Sequence, residues 1–282
     1  MTTAIVLLTN QPYEPQISFY AGLASSDYEI FVVVDDNAAE LPSPASDVHY
    51  VRIDDRECRP LGFENLNPMI SKWKPGKCSA WEKAIYYFSH VETRHDHVWF
   101  IEDDVLVTSP SAIQRIDSRY GAVDVISAEY FANHDGDLRQ DDWWWWRCIP
   151  TLLPLPWARS MVCAVRVSRP VLNLVGEFVP RTKAALAREN APILPFSRFA
   201  RKLRHKRALG QFMDFPRYLF IEYIFHTLAL HNNATIVVAE ELSGVCWVKP
   251  HSVDDMLPDR LYHPLKDRAS HESFREQLAA RS

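Results

Sequence analysis

Four apolar residues running straight into three acids, Val98-Trp99-Phe100-Ile101-Glu102-Asp103-Asp104, leave this chain few ways to fold. Val105-Leu106-Val107 follows at once. A short apolar run bounded in this way predicts a strand of a sheet covered on both faces. Three carboxylates cannot end that strand as core filling, because an unpaired buried charge is strongly destabilising. Side chains alternate on extended backbone, so Glu102 and Asp104 share one side and Asp103 points the other way. Two carboxylates on one side of a central strand end suit a hard cation. Mg²⁺ and Mn²⁺ are held by one or two carboxylates together with substrate phosphate oxygens. The alternative is a polar strand end that caps a helix or pairs with arginine, and the rest of the chain must decide.

The preceding hundred residues supply a setting. Ala4–Leu8 predicts a buried strand, residues 16–24 a short helix, and Ile30–Val34 a second strand ending in Asp35-Asp36-Asn37. Strand, helix and strand at this spacing imply a parallel sheet, whose ligands bind beyond the carboxyl ends of the strands. Asp35 and Asp36 then lie on the same edge as Glu102–Asp104, as ligand contacts or as a turn and helix cap. Val48–Ile53 alternates and reads as a strand nearer the edge. Residues 54–76 read mostly as loop and gather Lys72, Lys74 and Lys77 ahead of a helix from about Ser79 to His90. Ser79 and Glu82 have the spacing of a capping box. Cations before a helix N-terminus suit a diphosphate, since charge and free N–H groups add. Lys77 is therefore a candidate nucleotide contact, with a solvated loop lysine as the alternative. His95-Asp96-His97 falls at the amino end of the central strand, away from the acids, and reads as surface. There are 8 glycines and no GxGxxG or GxxxxGK[ST], so the common glycine-rich phosphate cradles are missing.

The second half is less regular. Ser109-Pro110-Ser111 opens a helix through Ile116, and Val123–Ser127 is a strand. Asp141-Asp142 precedes four consecutive tryptophans, Trp143–Trp146, which fit no helical or strand period. They either stack on sugar rings or form an aromatic plug between two parts of the molecule. Met161–Val167 predicts a strand, and Ser168-Arg169-Pro170 caps a helix reaching Gly176. Residues 181–207 are rich in Arg and Lys opposed by Glu189 alone and read as a basic insertion. It is a solvated loop, or an amphipathic surface facing an acidic glycan, a lipid phosphate or an anionic membrane. Asp214–Leu230 predicts a helix apolar on nearly all sides, hence buried, that carries Glu222. Burial raises a carboxyl toward the range of a useful base; the alternative is an internal ion pair with Arg217 or another Arg. Thr235–Ala239 is a last strand, the tail offers His251 with Lys249 and His263 with Lys266, and residues 270–281 form a polar helix.

Bulk properties exclude several classes. A net charge of −5 gives no global nucleic-acid or membrane signature. Met1–Asn10 has no basic residue before its short apolar run, unlike a secretory signal. No segment holds the roughly 18 uncharged apolar residues of a membrane span. The 5 cysteines form no CxxC pair, which points to free thiols in a reducing compartment. A cytoplasmic location is expected, with peripheral membrane contact through residues 181–207 as a variant.

Glu102-Asp103-Asp104 after an apolar strand resembles the DxD metal motif of nucleotide-sugar glycosyltransferases with the GT-A fold, with Glu in place of the first Asp. The resemblance implies a single α/β domain over residues 1–282, with a mixed, mostly parallel sheet flanked by helices. It implies a nucleotide-binding half to about residue 107 and an acceptor-binding half from about 108. By the same resemblance Glu102 and Asp104 hold Mn²⁺ or Mg²⁺, and a late histidine, His263 rather than His251, completes the shell. Asp35 and Asp36 contact the nucleoside, Lys77, Asp103 and Lys266 belong to the diphosphate's surroundings, and Glu222, with Asp214 second, is the base on the acceptor. The implied reaction moves a sugar from a nucleotide-diphosphate sugar to a hydroxyl of a glycan or lipid-linked acceptor, in glycan or surface polysaccharide synthesis. Two other readings remain. A nucleotidyltransferase acting on a sugar phosphate usually carries a glycine-rich basic loop after its first strand, and Thr9–Gln16 is neither. A non-catalytic carbohydrate-binding protein explains the tryptophans and leaves the acids without a task.

Overall fold

The computed structural model describes residues 2–42, 47–67, 76–190, 217–247 and 251–281. The chain opens with β1 (Thr3–Thr9), α1 (Glu14–Ala21), β2 (Tyr28–Val34) and β3 (Val48–Val51). The short α2 (Asp55–Cys58), α3 (Ala80–His90) and β4 (His97–Glu102) follow. After the acids come β5 (Leu106–Val107), α4 (Ser111–Tyr120), β6 (Val125–Ser127), β7 (Phe131–Asn133), β8 (Trp157–Arg159) and β9 (Ala164–Ser168). The chain closes with α5 (Arg169–Glu189), α6 (Ile221–His231), β10 (Ile236–Val238), β11 (Gly244–Val245), β12 (Leu261–His263) and α7 (Ser270–Ala279).

Among the described residues, seven strands form the main sheet in the order β10-β6-β9-β4-β1-β2-β3. All neighbours run parallel except β9, which is antiparallel to both β4 and β6. The expected mixed, mostly parallel α/β sheet is present. The alternation of β1 divides the core: Ala4, Val6 and Leu8 face a layer built from α3, α5 and α6, while Ile5 and Leu7 face the layer of α1 and α4. Every residue of β1 is buried, as a strand covered on both faces requires. No helix among the described residues is long and apolar enough to cross a membrane.

Several expectations need correction. His95 and His97 are buried, not surface. His95 packs edge-on to Phe31, with Glu29 and Glu92 at 3.4 and 3.5 Å from its ring nitrogens. The strand predicted over Met161–Val167 pairs only from Ala164. The helix expected to stop at Gly176 runs on to Glu189. Gly176 is not a stop signal there but the place where α5 crosses α3: a Cβ on it would meet Ser89 Cβ at 2.8 Å. Residues 181–189 of the basic stretch are thus helical rather than loop, and its remainder from 191 lies outside the described residues, as do Lys72, Lys74 and Asp214. The buried helix begins at Ile221.

At the predicted capping box, Glu82 accepts the Ser79 N–H at 2.7 Å. Its other oxygen accepts the N–H groups of Leu66 and Asn67, both at 3.1 Å, so the same side chain pins the preceding loop. The four tryptophans divide. Trp146 is fully buried, edge-on to Trp143 with ring centroids at 4.6 Å, and Trp145 packs on Phe220. Trp144 stays at the surface beneath Arg147. Three of the four therefore form the plug, wedged where the segment before α6 meets the main core.

Candidate active site

The acids close β4 as expected. The backbone turns at once, with Val105 N–H bonded to Glu102 O at 3.0 Å, and enters β5. A second sheet, β11-β12-β5, then delivers the tail to the acids: Tyr262 pairs with Leu106, and Leu265 N–H bonds Asp104 O at 2.8 Å. His263 and Lys266 thereby reach residues more than 150 positions earlier.

His263 Nε2 lies 3.4 Å from Asp104 Oδ1 and 3.9 Å from Glu102 Oε2. Its Nδ1 is 2.7 Å from the carbonyl of Cys246. A carbonyl only accepts, so Nδ1 carries a proton and Nε2 is the nitrogen turned to the carboxylates. Lys266 Nζ donates to Asp104 Oδ2. Trp81 Nε1 donates to Glu102 Oε1 at 2.6 Å and fixes that carboxylate. Asp103 faces the other way, as alternation predicts. It accepts from Thr9 Oγ1 at 2.6 Å and Arg268 Nη1 at 3.1 Å, tying β1 to the tail. Cys163, just before β9, is a neighbour that sequence reasoning missed. Its sulfur and ligand atoms of Glu102 and His263 all lie within 4.8 Å of one another.

The charges are strongly perturbed. Burial works to raise Asp104, but the hydrogen bonds and charges of His263 and Lys266 outweigh it and hold the carboxyl near 2. Burial raises Glu102 despite the Trp81 hydrogen bond. Burial opposes the His263 cation, yet Asp104 and Glu102 outweigh burial and raise its pKa. The Cys163 thiol is pushed well above its usual value, by burial first and by the charge of Glu102 next.

Glu222 sits in the first turn of α6, close enough for Glu102 to act on its charge. Trp143 Nε1 donates to its Oε2 at 3.2 Å, and burial pushes the carboxyl up to about 8. The anticipated alternative partner, Arg217, instead donates to the carbonyls of Arg147 and Ile149.

The other expected contacts lie further along the same edge. Asp35 N–H bonds Thr9 O at the ends of β2 and β1. Asp36 is exposed and accepts the Ala38 N–H at 2.9 Å, the turn it was weighed against. Lys77 is exposed, 3.8 Å from Asp55. The buried lysine of this region is Lys83, which donates to Asp35 O at 2.7 Å and Asn37 Oδ1 at 3.2 Å. His251 Nε2 donates to the His263 carbonyl at 3.0 Å, standing behind His263 rather than beside the acids.

No protein-family model and no curated protein matches the chain. Solved structures that it is similar to include the galactosyltransferase LgtC in complex with donor and acceptor sugar analogs, at 9% identity over 99% of this chain and 96% of that one, with a TM-score of 0.43. Mouse xyloside xylosyltransferase 1 is 10% identical over 93% of this chain and 97% of that one, with a TM-score of 0.40. Core-mannan synthase A from Aspergillus fumigatus in its Mn/GDP form is 9% identical over 64% of each chain, with a TM-score of 0.36.

Asp104 Oδ1 is buried, and its one ion-pair partner among the described residues is His263 Nε2, at a long 3.4 Å. A buried carboxylate oxygen held by one long contact, beside a second carboxylate and an imidazole nitrogen, is also a place where a divalent cation fits. Two carboxylates and one imidazole fit Mn²⁺ or a similar divalent ion.

Proposed function

We propose that the protein is a metal-dependent glycosyltransferase that moves a sugar from a nucleotide-diphosphate sugar to a hydroxyl acceptor. The observation that carries this reading is the convergence of Glu102 and Asp104, at the carboxyl end of β4, with His263 from β12, whose Nε2 lies 3.4 Å from Asp104 Oδ1 and 3.9 Å from Glu102 Oε2. When bound, a divalent ion there supplies Lewis-acid charge for a departing diphosphate. Glu102 and Asp104 would hold it, with His263 as the nitrogen donor. Trp81 keeps Glu102 oriented, and Thr9 and Arg268 hold Asp103 so that its neighbours face the site. Lys266 is mostly exposed and anchored only at its tip, so it can swing from Asp104 to a phosphate oxygen. Asp35 and Asp36 on the neighbouring strand end are the nucleoside contacts of this reading, with Lys77 reaching the diphosphate. Glu222, raised toward neutrality, takes the proton of the acceptor hydroxyl.

The test combines binding with turnover. Uridine and guanosine diphosphates, each with and without Mn²⁺, are screened by thermal shift. A ligand at about 100 times its Kd adds roughly 2.7 kcal/mol of stability. Metal-dependent hydrolysis of the corresponding nucleotide sugars is then compared between the native chain and Asp104→Ala. Absence of any Mn²⁺-dependent shift, or undiminished turnover in Asp104→Ala, overturns the proposal.

A further inference from the structure

The metal reading leaves one neighbour of the acids without a task. Cys163 is 7% exposed, and the pairing of β4 with β9 forces it against the site. Glu102 N–H donates to the Cys163 carbonyl at 2.9 Å, one step beyond the Ile101–Ala164 pair. Its sulfur shares the space within 4.8 Å of Glu102 and His263 donor atoms, and its other close contact is the soft thioether of Met161, at 3.5 Å. Beside that cluster, Asp104 supplies a second observation. It is only 7% exposed, and the one ion-pair partner of its Oδ1 among the described residues is His263 Nε2, at 3.4 Å.

Resting on the metal reading above, we infer that Cys163 is a further donor to the cation held by Glu102, Asp104 and His263, and that its sulfur selects borderline and soft divalent ions over Mg²⁺. The ligand softness rule carries the selectivity. Carboxylate and water oxygens suit Mg²⁺, imidazole suits the later transition metals, and thiolate sulfur shifts preference further toward Co²⁺, Zn²⁺ or Cd²⁺. On coordination the S–H bond breaks, the sulfur keeps the electron pair and forms the bond to the metal, and the proton passes to buffer. A site built of oxygens alone lacks this discrimination, so the sulfur decides which metal the protein carries where Mg²⁺ is abundant.

The experiment uses the full chain with Mn²⁺, Co²⁺ and Cd²⁺, reading affinity by equilibrium dialysis and sulfur ligation by the charge-transfer absorption of bound Co²⁺. The native protein shows the band. Cys163→Ser loses it and weakens Cd²⁺ about 10–100-fold, while Mn²⁺ affinity barely changes. Cys246 Sγ lies 3.8 Å from His251 Nε2 and is the competing thiol–imidazole pair, so Cys246→Ser is the control and keeps the band. A band that survives Cys163→Ser, or vanishes with Cys246→Ser, overturns the inference. Co²⁺ bound in an Asp104-dependent way without a band overturns it too and leaves the metal reading standing. Mn²⁺ binding that is absent, or indifferent to Asp104→Asn, overturns the metal reading and the inference with it. Melting curves verify folding, and Cys163→Ala replaces the serine variant if that one does not fold.

Discussion

Asp104 and Glu222 are both carboxyls removed from water, and burial alone would raise both. Their partners separate them: His263 and Lys266 hold Asp104 near 2, whereas the Trp143 N–H leaves Glu222 at about 8. On the proposed reading, two carboxyls set this far apart divide labour, one anionic throughout and one able to exchange a proton near neutrality. A base works deprotonated, so turnover should rise with pH through about 8 and level off above it. Glu222→Gln should lower kcat by roughly 10²–10⁴-fold and abolish that limb; a pH–rate profile that keeps its shape would refute the assignment. His226 tests the reverse sign. Burial lowers its pKa to about 3, so the unfolded chain takes up a proton near 6.5 that the folded chain refuses. Stability is full above that value and is lost as pH falls; about 2 kcal/mol should be gone by pH 5. Urea midpoints at the two pH values should show this slope, flattened in His226→Gln. At this scale the acids and Glu222 were legible, because charge stands out within apolar surroundings. Cys163, Trp81 and Thr9 were not: each meets the acids across strands or layers, and local sequence does not encode that register.

Elements explain what single positions do not. The parallel opening could be read because strand, helix and strand are contiguous and periodic. The reversal of β9 could not, since nothing within Ala164–Ser168 distinguishes the two directions. Yet β9 carries Arg166, fully buried and 2.7 Å from Asp117, whose carboxylate also accepts from Trp99 and Tyr28. Replacing Arg166 with Met alone should cost about 3–5 kcal/mol in urea unfolding, because it strands a buried Asp117. A loss comparable to that of an exposed pair, below about 1 kcal/mol, would show that water reaches the cluster. The small sheet offers a sharper case. A Cβ at Gly244 would lie 2.3 Å from Tyr262 Cδ1 and 2.7 Å from Leu261 O, so β11 and β12 pair only with glycine there. Gly244→Ala should displace His263 and weaken Mn²⁺ at least about tenfold with the far-UV circular dichroism preserved. Unaltered affinity would mean that the tail is positioned without this pairing.

At the scale of the molecule, the first half of the chain supplies the acids and the last few elements supply their counter-charges; Lys266 meets Asp104 across 162 positions. The division at about residue 107 therefore does not divide the site. The sequence favoured His263 over His251 as the late histidine but could not show why, because the antiparallel match of β12 with β5 is what brings it to the acids. Deleting residues 260–282 should leave the main sheet folded and eliminate the Mn²⁺-dependent melting shift; a truncated chain that still responds to Mn²⁺ would place the ion elsewhere. Until β12 has docked on β5, Glu102 and Asp104 stand without the imidazole and ammonium that offset their charge. On the proposed reading, ion capture waits on the docking of β12, so the small sheet, not the main one, sets when the acids gain their partners.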